Sequence, residues 1–118
     1  MAKKIMVVDD SKVAQLQLQR ILSDSPYEVI SCCQNGEDAV EQYRVLKPDL
    51  ITMDILMPGL DAARKILEED PDAKILMISS LAYDETIEES RNLGAKGFLY
   101  KPFEAEDVLQ ALDKIFAE

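Results

Sequence analysis

Five short apolar runs, set at nearly even intervals between amphipathic stretches, predict an α/β fold: a doubly wound five-stranded parallel sheet with helices on both faces. The runs are continuous rather than alternating, as strands buried on both faces are. With 118 residues the chain reads as one domain spanning 1–118, long enough to bury roughly two-thirds of its unfolded surface. Five βα units are too few for a closed barrel, which leaves an open αβα sandwich with the strand order 2-1-3-4-5.

The strands are expected at IMVV (5–8), EVISC (28–32), LITM (50–53), ILMI (75–78) and GFLY (97–100). Between them, helical spacing places Ala14, Leu18, Ile21 and Leu22 on one face, Ala39, Tyr43 and Leu46 on a second, and Val108, Leu112, Ile115 and Phe116 on a third. Ser11 before the first helix, Asp61 before the third and Glu104 in the first turn of the last act as start signals. The stretch DETIEESRN (84–92) has a thin apolar face, chiefly Ile87 and then Leu93, and reads as the loosest helix.

Thirteen basic against twenty-three acidic residues give a net charge of −10, which repels phosphate backbones and anionic lipids. Direct nucleic-acid or membrane binding is therefore not expected. No apolar run approaches the ~20 residues of a membrane span, and MAKK leads into no signal-peptide pattern, so a cytoplasmic location is expected. Cys32 and Cys33 are adjacent, so in a strand they point to opposite faces and make poor disulfide partners. With no histidine and no spaced cysteine pair, neither a zinc site nor histidine catalysis is available.

The polar residues just past the strands carry the chemistry. Strand one ends in Asp9 and Asp10, strand three in Asp54, strand four in Ser79 and Ser80, and strand five in Lys101. Asp54 is the only charge in LITMDILMPG (50–59). All of these fall on the carboxyl edge of the sheet, where open α/β folds bind ligands, and strands one and three straddle the point where the winding reverses. Three crowded carboxylates repel one another and call for a hard divalent cation. Mg²⁺, which takes one or two carboxylates, retained waters and a phosphate ligand, suits this all-oxygen set. A nucleophilic carboxylate, a cation, the Lys101 ammonium and the Ser79 hydroxyl converging on one spot make a phosphoryl-transfer site.

VVDD (7–10), MDILMP (53–58), MISS (77–80) and FLYKPF (98–103) together resemble the receiver domain of two-component response regulators, closest in flavour to single-domain chemotaxis-type receivers. The resemblance spans essentially the whole chain and implies a flavodoxin-like fold. It also implies that Asp54 is the phosphoacceptor, that Asp10 ligates Mg²⁺ directly and that Asp9 acts through a bound water. The main-chain carbonyl of Leu56 takes the remaining protein metal position. Lys101 pairs with phosphoryl oxygens ahead of a cis Lys101–Pro102 bond, Ser79 is the switch hydroxyl and Phe98 the switch aromatic. Tyr100, which points the same way as Phe98, reads as packing. The implied partners are a histidine kinase or phosphotransfer protein as donor and a downstream protein that reads the face of helix four, strand five and helix five. A monomer or weak dimer is expected.

Some positions depart from the family pattern. Asp54-Ile-Leu-Met-Pro58 runs directly to Gly59, so aligning the tail LDAARKILEEDP with the usual third helix leaves the loop about three residues short. An ungapped alignment would put Ala62 at the family's glycine position but shifts the apolar face of the helix. Ser79 stands where threonine is more frequent, and Phe98 lacks the hydroxyl of the common tyrosine. Leu56 and Leu81 flank the path of an attacking water and cannot orient it, which predicts a long-lived phosphoryl group. The alternative function is a receiver-like binding module that no longer phosphorylates. A phosphatase of the haloacid-dehalogenase type wants a second aspartate two residues after the nucleophile, where this chain has Leu56, and no glycine-rich phosphate loop follows strand one.

Overall fold

The computed structural model describes residues 2–55, 59–80 and 84–117. Five strands and five helices alternate along the chain: β1 (Lys3–Val8), α1 (Lys12–Ser23), β2 (Tyr27–Cys33), α2 (Gly36–Leu46), β3 (Leu50–Asp54), α3 (Gly59–Glu69), β4 (Ile75–Ser79), α4 (Asp84–Leu93), β5 (Gly97–Tyr100) and α5 (Ala105–Ala117). All strand pairs are parallel and the sheet runs β2-β1-β3-β4-β5, the order the sequence predicts.

Alternation along the strands divides the core in two. Ile5, Val7, Leu50, Leu76 and Ile78 face α1 and α5, where they meet Leu18, Leu22, Phe103, Val108, Leu112 and Ile115. Met6, Val8, Ile51, Met53, Ile75 and Met77 face the other way, against Ala39 and Val40 of α2 and Ala62, Ala63, Ile66 and Leu67 of α3. Cys33 belongs to this second layer and half-buried Cys32 to the first, so the two thiols do lie on opposite faces, and both are free.

The helix ends follow side-chain chemistry, with two shifts from expectation. Ser11 caps α1, its hydroxyl accepting from the Ala14 amide at 3.3 Å. Asn35, unremarkable in the sequence, caps α2 by accepting from the Asp38 amide at 2.9 Å. Asp61 does not precede α3: the helix starts at Gly59 and Asp61 sits in its first turn, where a carboxylate favours the exposed amides. Glu104 likewise stands just before α5 rather than inside it, its amide donating to Asp107 Oδ2 at 2.9 Å. On α2, Val40 takes the buried place that spacing gave to Leu46, which is more than a third exposed. The Lys101–Pro102 bond is cis.

Candidate functional site

The strands deliver their polar ends to one edge because the sheet is parallel and in near register there. Val8 pairs with Met53 and Asp54 with Ile78, so Asp9 and Asp54 emerge side by side. Asp9 is pinned on every side. Its amide donates to the Cys33 carbonyl at 3.0 Å, its Oδ1 accepts from the Ser11 amide at 2.9 Å, and its Oδ2 accepts from Lys101 Nζ at 2.8 Å. Both Asp9 and Asp54 are buried, whereas Asp10 is exposed beside them. One carboxylate oxygen from each of Asp9, Asp10 and Asp54 lies within 4.8 Å of the others, a grouping that could hold a metal ion.

Lys101 bridges the two buried carboxylates: its ammonium is 2.8 Å from Asp9 and 3.8 Å from Asp54. Breaking such a pair would leave a buried charge uncompensated, so the lysine is held in the site by the acids it neutralises. Its backbone is fixed too, the Lys101 amide donating to the Ser79 carbonyl at 2.9 Å. Ser79 ends β4 fully buried, on the parity of Ile75 and Met77, and so faces the α2–α3 side of the sheet. Phe98 packs against the same layer and pairs in register with Met77. Asp9, Asp54, Ser79 and Lys101 are thus gathered at one edge, with Phe98 one strand over on the Ser79 face. Leu56 and Leu81 lie outside the described residues.

Two features were not anticipated. Gln15, buried in α1 between Ala14 and Leu18, donates through Nε2 to the carbonyls of Asp9 at 2.7 Å and Cys33 at 3.3 Å, tying the ends of β1 and β2 together beneath the acidic cluster. The signal was present as a polar residue on an apolar helical face. Tyr100 is nearly half exposed and stacks on Phe98 in a tilted arrangement with centroids 5.1 Å apart, so it packs on the Phe98 ring but outside the core.

Comparison with known proteins places this arrangement. Residues 5–113 match the response regulator receiver domain. The chain is 41% identical to the chemotaxis protein CheY of Thermotoga maritima over 118 residues, 98% of each chain, and 40% identical to CheY of Listeria monocytogenes over 94% of this chain and 96% of that one. Among solved structures, the complex of CheX, CheY, BeF₃ and Mg²⁺ from Borrelia burgdorferi superposes with a TM-score of 0.94 at 31% identity, covering 98% of this chain and 90% of that chain. A response regulator from Thermotoga maritima superposes over all of both chains, with a TM-score of 0.91 at 29% identity. From its first buried strand to its last helix, this protein belongs to the response regulator receiver domain family, of the CheY type.

Proposed function

We propose that the protein is a phosphorylation-dependent signalling switch in which Asp54 accepts a phosphoryl group from a histidine kinase or phosphotransfer protein. The observation that carries this reading is the convergence of the Asp9, Asp10 and Asp54 oxygens within 4.8 Å, with Lys101 spanning Asp9 and Asp54. Residues 1–118 act as one receiver domain, self-modifying rather than turning over a metabolite.

The acidic trio fits Mg²⁺. Ligands at ~2.1 Å from one ion lie no more than ~4.2 Å apart, and one oxygen from each of these acids already lies within 4.8 Å of the others, close to that span. Asp10 and Asp54, with the Leu56 carbonyl, would hold the ion and Asp9 would act through water. When bound, Mg²⁺ supplies neutralising charge for the phosphoryl oxygens. An Asp54 oxygen forms the new P–O bond as the P–N bond of a phosphohistidine breaks, and the departing electron pair stays with the imidazole nitrogen, which picks up a proton. The Lys101 ammonium then shifts from Asp9 towards the phosphoryl oxygens, and the Ser79 hydroxyl supplies a further donor. Because Ser79 and Phe98 share a face of the sheet, movement of the first makes room for the ring of the second, and the α4–β5–α5 surface changes with it.

Intact mass after incubation with acetyl phosphate and Mg²⁺ tests this reading. The wild type is expected to gain one phosphoryl group and the Asp54→Asn variant none. The start of α3 at Gly59, so soon after Asp54, favours a second reading in which the chain is a receiver-like docking module. Absence of both adduct and Mg²⁺ binding would select it.

A further inference from the structure

The two acids proposed as direct ligands of Mg²⁺ are held in different ways. Asp54 ends β3 and pairs in register with Ile78, so the sheet fixes its main chain. Asp10 is exposed and stands beyond Val8, the last ladder-paired residue of β1, in the turn that leads into α1. The carbonyls of the residues on either side of it are fastened by one residue. Gln15 donates its side-chain amide to the Asp9 carbonyl at 2.7 Å and its main-chain N–H to the Ser11 carbonyl at 3.1 Å. The same Nε2 reaches the Cys33 carbonyl at 3.3 Å, at the end of β2, which ties the turn to the sheet.

We propose that Gln15 is a positioning residue for the metal ligands: its side-chain amide fixes the Asp9–Asp10 peptide plane and so keeps the Asp10 carboxylate grouped with those of Asp9 and Asp54. The inference rests on the reading of this edge as a Mg²⁺ site. A peptide unit is planar, so a hydrogen bond at the Asp9 oxygen sets where the Asp10 Cα departs from it. Groups behind a metal's ligands orient them in this way, and their loss weakens binding. The Asp9 carboxylate is already held by the Ser11 amide and by Lys101, so what the Gln15 amide adds is the direction of the next residue. Packing alone gives no reason for an amide at this place. Gln15 is 9% exposed, between Ala14 and Leu18 on the core face of α1, where an apolar side chain would fill the space without the cost of burying polar atoms.

The test is titration of the full chain with MgCl₂, followed through its main-chain amide resonances by NMR. Gln15→Met keeps the length and removes the donor, whereas Gln15→Asn keeps the donor and falls one methylene short. Each is expected to raise the Mg²⁺ concentration at half-saturation by about tenfold. Gln19→Met, one turn further along α1, removes a donor to Cys32 Sγ rather than to Asp9 and should titrate as wild type. In acetyl phosphate labelling, the Mg²⁺ needed for half the maximal rate rises by the same factor, while the rate at saturating Mg²⁺ returns towards that of wild type. The dispersion of the amide resonances shows which variants are folded, and urea unfolding without Mg²⁺ reads any structural loss separately. Wild-type Mg²⁺ affinity in either folded Gln15 variant overturns the assignment, whatever the unfolding midpoint does, and so does a wild type that binds no Mg²⁺. A wild type that binds Mg²⁺ but takes no phosphoryl adduct, with both Gln15 variants weakened, contradicts the switch while supporting the positioning role.

Discussion

The carboxyl edge of β1, β3 and β4 and the α4–β5 flank are built to opposite standards. Asp9, Asp54 and Ser79 are almost wholly removed from solvent, and each strand below them is buried along its final residues. On β5, by contrast, no residue is fully buried and Tyr100 is nearly half exposed, while α4 packs through partly buried Leu93. The difference matches the two tasks of the proposed switch. Carboxylates and an ammonium need fixed geometry and little solvent to act on a phosphoryl group, and the doubly covered strands provide both. A surface that reports the chemistry has to shift at small cost, and a half-buried edge strand beside a thinly packed helix can do so.

Core truncation should expose the contrast most strongly. Leu76→Ala empties a fully buried position in β4 and is expected to cost about 2–5 kcal/mol in urea unfolding, whereas Leu93→Ala on α4 should cost about 1 kcal/mol. Equal losses would mean that the flank is as tightly built as the centre. Gly97→Ala probes the place where the flank is tight. A Cβ there would meet Leu76 Cδ1 at 3.1 Å and Ile115 Cδ1 at 3.2 Å, so β5 lies close under α5. Because the ends of flexible side chains must give way, a cost of about 1–2 kcal/mol is expected.

The centre also carries a local imperfection. Thr52, two residues before Asp54 on the same face of β3, buries a hydroxyl that has no hydrogen-bond partner among the described residues. Thr52→Val keeps the shape and removes the unmet hydroxyl, so it should raise stability by about 1 kcal/mol; a loss instead would point to a water held at that hydroxyl.

The smallest effect lies at the opposite end of the sheet. Tyr27 stacks on Phe116 and donates its hydroxyl to Asp113. Burial first, then that carboxylate, push the phenol up to about 12 from an ordinary value of 10.0. The unfolded chain therefore releases this proton before the folded one does. The associated stability is complete below pH 10 and fades as pH rises towards 12. Tyr27→Phe should flatten that part of the stability profile while leaving phosphorylation at neutral pH untouched.

Much of this was legible in the residues. The spacing of apolar runs fixes the number and kind of elements, because a strand covered on both faces has no polar side to show. The position of Asp9, Asp10, Asp54, Ser79 and Lys101 just past those runs assigns them to one edge, since parallel strands all end there. Helix boundaries were less legible: Asp61 and Glu104 are acceptable both before and inside a first turn, and only the actual amide geometry separates the two. Gln15 was missed because its partners, the Asp9 and Cys33 carbonyls, are main-chain groups that no side-chain pattern announces.

The sequence by itself determined the α/β alternation, the buried strands and the set of acids at the edge, since these depend on periodicity and on residue type. Only the tertiary structure decided how that edge is wired: that Asp9 rather than Asp54 is the closer partner of Lys101, that Gln15 clamps β1 to β2, and that Arg91, Lys96 and Lys114 line one groove. Those are distances between residues far apart in the chain, and they are set by how the helices dock on the sheet.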